Sequence, residues 1–374
     1  MTEALARVRA WLAERELPAL VATRPPAVAW LTGGPNPPID RTAPFDTLWA
    51  VVTPTTALLL TTEVEYGRLI AEYPDPDSEL RAVPWYDPAA PAVAAARFTG
   101  HDPALIASDG HPAFGVDATD DLVALRLALT PGEQDALRAL GTDATAAVED
   151  ALDDWRPGDR DRDVQAAIAA GVERAGADAP VLIVGGDERL RHRHPLAVGA
   201  PLHRTVMAVL VARRGGLHVA LTRFAGDAPD RTAVRAIEAE ALAASRPGRS
   251  YGDALTALDR AYTAAGHPGG WRQHYQGGPI GYAQREFEIA PGQTDSRWYR
   301  QPIALGHALA WNPSLPGGAK AEDTYLLTDA GPERVTTAPP VVDRPATTER
   351  SVTERLVTER LVTTRSVTDP KGSA

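Results

Sequence analysis

Apolar residues along the chain fall into alternating helical and strand-like periods. Leu5, Val8 and Leu12, with the alanines before them, share one face of a helix predicted over residues 4–15, and the apolar run from Leu17 to Ala22 predicts a buried strand. Leu48 to Val52 and Ala57 to Leu60 flank the turn-forming Thr53-Pro54-Thr55 and predict a hairpin, followed by a helix over 62–72. This mixed α/β pattern ends near residue 128. A second unit opens at Thr130-Pro131-Gly132-Glu133, with a threonine N-cap, proline at the first helical position and glutamate three residues after the cap. Leu137, Leu140, Ala144, Val148 and Leu152 carry the apolar stripe of that helix until Pro157-Gly158 stops it.

The second unit repeats itself at an offset of ninety residues. Arg156-Pro157-Gly158 recurs as Arg246-Pro247-Gly248, Asp163 as Asp253, Ala167 as Ala257, and Ala175-Gly176 as Ala265-Gly266. In each copy an Arg-Pro-Gly turn leads into a helix that ends at Ala-Gly. Two similar halves packed about an approximate symmetry axis are expected, with a ligand cleft between them. From Thr348 onward a pentapeptide array of the type Thr-Glu-Arg-Leu-Val matches neither the helical nor the strand period, and Pro339, Pro340 and Pro345 set it apart. The expected organisation is residues 1–128, residues 129–337, and a disordered tail over 338–374.

Composition narrows the partners. The 374 residues carry 38 basic and 49 acidic side chains, a net charge of -11, which disfavours nucleic acid and anionic membrane. The absence of cysteine removes disulfides, thiolate nucleophiles and thiolate metal sites. The first residues lack a basic region followed by an apolar stretch, and nowhere do about eighteen apolar residues run together, so a soluble, cytoplasmic protein is expected. Only two of the basic residues are lysines, Lys320 and Lys371. A lysine kept in so arginine-rich a chain suggests a use for a compact ammonium group, with drift as the alternative.

Two polar clusters hold the candidate chemistry. The first is His274-Tyr-Gln276-Gly277-Gly278-Pro279-Ile-Gly281-Tyr282, followed by Arg285-Glu286, where successive glycines let backbone approach a ligand. The second is Trp311-Asn312-Pro313, then Gly317-Gly318-Ala319-Lys320-Ala321-Glu322-Asp323-Thr324, read as strand, loop, strand, with Lys320 and Glu322 on one face if extended.

At these clusters the sequence resembles the pita-bread family of aminopeptidase P, prolidase, methionine aminopeptidase and creatinase. The family's H-x-T-G-H-x-x-G is similar to the segment His274 to Gly281, its later H-E falls at Arg285-Glu286, its E-P at Asn312-Pro313, and its E-D-T at Glu322-Asp323-Thr324. Its H-x-x-P loop looks like His192-Arg193-His194-Pro195. The resemblance implies an α/β (α+β) fold, a creatinase-type N-terminal domain followed by a pita-bread domain of two pseudo-symmetric halves, and a homodimer.

The resemblance also exposes departures. Metal-dependent members hold two cations on two Asp, one His and two Glu. Here Ala212 and Ala220 are read at the aspartates, Gly278 at the ligand histidine and Asn312 at the first glutamate, leaving Glu322. No metal or other cofactor is therefore expected, and His192, His194 and His274 are the histidines placed to rescue one, His194 being read as a surface residue. Creatinase is a metal-independent precedent in the same fold, although Ala220 removes an acidic clasp for a guanidinium and makes creatine a doubtful substrate. The expected catalytic residues are His192, His274 and Glu322, with Gln276, Gly278, Arg285, Glu286, Asn312 and Lys320 binding the ligand. Two readings stay open: hydrolysis of a small polar amide, amidine or short peptide, with His192 as general acid or base, and binding of such a ligand without chemistry. A metal-dependent Xaa-Pro peptidase with a replaced ligand set and a scaffold for other macromolecules are the alternatives.

Overall fold

The computed structural model describes residues 3–34, 39–72 and 79–338. The pentapeptide array expected to be disordered lies outside the described residues. The first part of the chain runs α1 (Glu3–Glu14), β1 (Leu20–Ala22), α2 (Pro25–Thr32), β2 (Trp49–Val52), β3 (Ala57–Thr62), α3 (Glu63–Glu72), β4 (Glu79–Val83), α4 (Ala90–Thr99), β5 (Ala107–Ser108), β6 (Val116–Asp117) and α5 (Thr119–Arg126). Its strands form one six-stranded mixed sheet in the order β4-β3-β2-β1-β5-β6. The predicted hairpin is β2 and β3, paired antiparallel from Trp49 opposite Leu60 to Val52 opposite Ala57. Val8 and Leu12 of α1 are fully buried against this sheet's core, as their spacing on one helical face requires.

The second part opens with α6 (Pro131–Asp154), entered through a capping box in which Thr130 Oγ1 accepts from Glu133 N at 3.3 Å and Glu133 Oε2 accepts from Thr130 N at 2.7 Å. Then follow α7 (Asp161–Arg174), β7 (Asp178–Gly186), β8 (Thr205–Arg214), β9 (Leu217–Gly226), α8 (Thr232–Ala244), α9 (Tyr251–Ala264), β10 (Gly277–Ile280), β11 (Ala308–Trp311), β12 (Tyr325–Thr328) and β13 (Gly331–Arg334). Both helices of the sequence repeat span 14 residues, and their ends, Asp161–Arg174 and Tyr251–Ala264, keep the offset of ninety. Each half contributes two helices and then an antiparallel sheet, β7-β8-β9 in the first and β10-β11-β12-β13 in the second.

The two sheets are laced edge to edge. Ala220 N on β9 donates to Thr324 Oγ1 at 2.8 Å, and that hydroxyl donates back to Ala220 O at 2.9 Å. Thr222 N donates to Glu322 O at 2.9 Å. One threonine side chain thus stands in for a backbone partner, and the open edge of β9 is satisfied by the segment carrying Glu322.

Candidate functional site

Strand alternation decides which side chains this joined sheet presents to the cavity above it. A cavity of about 730 Å³ lies over it, walled by Val181 and Ile183 of β7, Val209 and Val211 of β8 and Ala220 of β9. These positions are two apart on each strand and so share a face. Ala212, read from the sequence as an aspartate position, falls on the opposite face and is fully buried in the main core. The correction follows from the strand period, since a shift of one residue moves a side chain to the other side of the sheet.

The polar end of the cavity is built by the second half. Asn312 follows β11 and is held by Asn312 N donating to Gln276 O at 3.0 Å. Lys320 and Glu322 lie on the return segment, where Lys320 pairs in an isolated bridge with Ser314. Lys320 Nζ is 3.3 Å from Glu322 Oε2, with the two side chains 4% and 6% exposed, and Thr222 Oγ1 donates to the same oxygen at 2.7 Å. His274 and His194 complete the polar end, with their Nε2 atoms 3.2 Å apart. Two neutral imidazoles in that contact share one bridging proton, one nitrogen donating and the other accepting. Burial, reinforced by the charge of Lys320 and by His194, pushes the His274 pKa down to about 3. Burial and Lys320 also lower His194, against the pull of Glu322.

Two buried atoms here have no hydrogen-bond partner: Asn312 Oδ1 and His274 Nδ1. Buried polar atoms are nearly always satisfied, so a pair of exceptions on residues that line one cavity makes that cavity the candidate site.

The other residues singled out in the sequence take different places. His192 is exposed beside Arg191, whose Nε donates to its Nε2 at 3.3 Å, and it does not line the cavity; His194, two residues on, does. Gln276 is 3% exposed and acts as a brace, its Nε2 donating to Trp271 O and His274 O at 2.9 and 2.7 Å while its Oε1 accepts from Tyr262. Gly278 is on β10 at φ 140°, with open space where a side chain would begin. Glu286 turns away into a buried ion pair, Oε2 taking both Nε (2.9 Å) and Nη2 (2.6 Å) of Arg126. Arg285 sits at the rim, paired with Glu288 and lying over the Tyr275 ring at 5.6 Å. His194 is exposed, as the sequence suggests, but it also lines the cavity against His274, a place the sequence reading gave to His192. That reading also missed the apolar strand face of Val209 and Val211.

The two-cation centre that the resemblance brings to such a cavity has no matching donors. Val209, Val211 and Ala220 cover the strand face, and Glu322, the carboxylate at the polar end, already faces an ammonium group. Among the described residues no group of three or more His, Cys, Asp or Glu side chains is placed to hold a metal. A hard or borderline dication needs several such ligands at fixed geometry, so the residues present do not fit the group.

Residues 5–118 match the Creatinase/Prolidase N-terminal domain family. No curated protein matches the chain in sequence. Among solved structures, the prolidase from Thermococcus sibiricus aligns with a TM-score of 0.72 at 14% identity, covering 90% of this chain and 97% of that one. The dipeptidase PepE from Mycobacterium ulcerans aligns at 0.71 and 22% identity, covering 90% and 95%. The N-terminal domain of the FACT complex subunit SPT16 from Eremothecium gossypii aligns at 0.58 and 13% identity, covering 90% and 96%. The expected fold is therefore present from the creatinase-type N-terminal domain through the pita-bread halves. No helix among the described residues is long and apolar enough to cross a membrane.

Proposed function

From a creatinase/prolidase-type N-terminal domain and a pita-bread fold as premises, we propose that this chain is a metal-independent member of the hydrolase lineage. It takes a small amide-bearing ligand or short peptide into the cavity over the two sheets. The observation that carries this reading is the unpartnered, buried Asn312 Oδ1 on the same cavity wall as the Lys320 ammonium. That ammonium is ion-paired with Glu322 and carries three N–H donors, one of which reaches the ligand carbonyl oxygen in this reading. Asn312 Oδ1 accepts from the ligand N–H. An amide presents this acceptor and donor side by side, and the apolar wall takes its side chains.

The His194–His274 pair supplies the chemistry this reading allows. Both imidazoles are held toward the neutral form. His194, the more exposed of the two, takes a proton from an attacking water and returns one to the leaving nitrogen. His274, too weak a base for that step, orients His194, and Lys320 stabilises charge on the carbonyl oxygen. Glu322 orients Lys320, and Gln276 fixes the His274 backbone. His192 has no place in this scheme. The homodimer implied by the resemblance belongs to the same proposal and is tested by light scattering.

The test is calorimetric titration of chelator-treated protein with N-acetyl amino-acid amides and dipeptides, with product analysis before and after addition of manganese, cobalt or zinc. Saturable binding without metal, lost in Asn312→Leu, is expected. Near-stoichiometric metal uptake with metal-dependent cleavage before proline would overturn the proposal in favour of a replaced ligand set. A blank screen would leave the scaffold reading.

A further inference from the structure

Beside the main cavity lies a second, smaller one of about 150 Å³, lined by Arg193, His267, Gly270, Gln273 and Ser314 among others. It shares its two walls with the first. In the loop His192-Arg193-His194, His194 lines the large cavity and Arg193 the small one; in Gln273-His274, His274 lines the large and Gln273 the small. No acidic residue lines the small cavity.

Arg193 stands out because its guanidinium lines a cavity without a carboxylate. Most of the less exposed arginines meet carboxylates, as Arg126 meets Glu286, Arg213 meets Asp178 and Arg223 meets Asp323, at 2.6, 2.6 and 2.8 Å, while the half-buried Arg231 lies over the Phe224 ring. Arg193 is half-buried, yet among the described residues it has no carboxylate partner. Its Nη2 donates to Gln273 Oε1 at 2.7 Å and its Nη1 reaches Ser314 Oγ at 3.4 Å, both neutral acceptors. Arg189 and Arg191 in the same turn donate to the Leu196 carbonyl and to His192. The acids of that turn are engaged elsewhere, Asp187 by the backbone N–H groups of His203, Arg204 and Thr205 and Glu188 by Arg204, so neither is paired with Arg193.

We propose that this small cavity is an oxyanion site, in which the Arg193 guanidinium, with His267 and Ser314, binds a carboxylate or phosphate group. A planar fork of donors suits an oxyanion better than two neutral acceptors do. Its partial desolvation, which lowers the guanidinium pKa, is the cost that an anion would offset. The volume suits one such group, since pockets for whole drug-sized molecules begin at about 300 Å³. The inference does not depend on amide binding in the large cavity.

The experiment uses the full chain with inorganic phosphate, N-acetyl-leucine and N-acetyl-leucinamide as probes, read by thermal shift at constant ionic strength and by phosphorus NMR line width. A saturable response to phosphate or to acetyl-leucine is expected, weakened roughly tenfold or more in Arg193→Gln by loss of charge-assisted bonds. Arg193→Lys, which keeps the charge without the fork, falls between, and serves as the informative variant if Arg193→Gln does not fold. Displacement of phosphate by acetyl-leucine but not by its amide identifies the carboxylate of a cavity ligand as the source. Displacement by neither identifies a separate small anion. No saturable response to phosphate or acetyl-leucine, or one that both Arg193 variants leave intact, overturns the proposal.

Discussion

Lys320 Nζ lies 3.3 Å from Glu322 Oε2, both side chains are buried, and together they form the charged end of the large cavity. Removing one member of a buried pair strands the other charge. Lys320→Met is expected to cost about 3–5 kcal/mol of stability, and Lys320→Met with Glu322→Leu to recover most of it. Urea unfolding of the single and double variants measures the difference; equal losses would mean that the two charges are not coupled.

Asn312→Leu trades function for stability. The buried amide oxygen without a partner is a desolvation cost of about 1–3 kcal/mol in the ligand-free protein, and leucine of similar size removes it. Stability is expected to hold or rise while ligand binding in the large cavity is lost. A large drop in the unfolding midpoint would show that Oδ1 is satisfied within the protein.

Acid should unfold this protein through its histidines. Burial lowers His218 and His307 to about 4 and His274 to about 3, so the unfolded chain, with ordinary imidazoles, binds protons first as pH falls. Their stabilising contribution is complete above about pH 6.5 and declines by about 1.4 kcal/mol per pH unit for each histidine, until pH reaches that group's folded pKa. In His307→Gln the slope of unfolding free energy against pH between about 4 and 6.5 should fall by one proton's worth. The Tyr251 hydroxyl, 3.0 Å from His307 Nδ1, keeps a polar neighbour in that variant. An unchanged slope would show that His307 does not titrate on unfolding.

Arg126→Met is expected to cost about 3–5 kcal/mol, because Glu286, its side chain 1% exposed, loses its charge partner. Ligand affinity in the large cavity should stay within twofold in the folded fraction, since neither residue lines it. A selective loss of affinity would return Glu286 to the site.

Local signals in the chain carried much of this architecture. The capping box at Thr130 and the turn and helix-end signals in each copy of the ninety-residue repeat depend on neighbours within a few positions, and the helices appear with the boundaries those residues imply. Lys320 and Glu322 were legible as one face because they are two residues apart. Three features were not legible, each for a different reason. The face of β8 depends on register, which an unbroken apolar run such as Val206 to Ala212 does not reveal. His192 and His194 sit in an aperiodic loop, where only the path of the backbone decides which imidazole reaches His274. Glu286 looked like a site residue because its partner, Arg126, is 160 residues away in sequence.

The Thr324 lacing between β9 and the Glu322 segment bears on how molecules come and go. Sheets stitched together by side-chain and backbone bonds cannot part like jaws, so entry must run past the rim, where Leu196 and Tyr275 stand 60% and 63% exposed. Exchange then depends on side-chain and loop rearrangements, which take about nanoseconds to microseconds, rather than on the slower swing of whole domains. A cavity built this way is a standing vessel with an exposed lip, and the residence time of a molecule bound there would be set by grip inside rather than by a closing door.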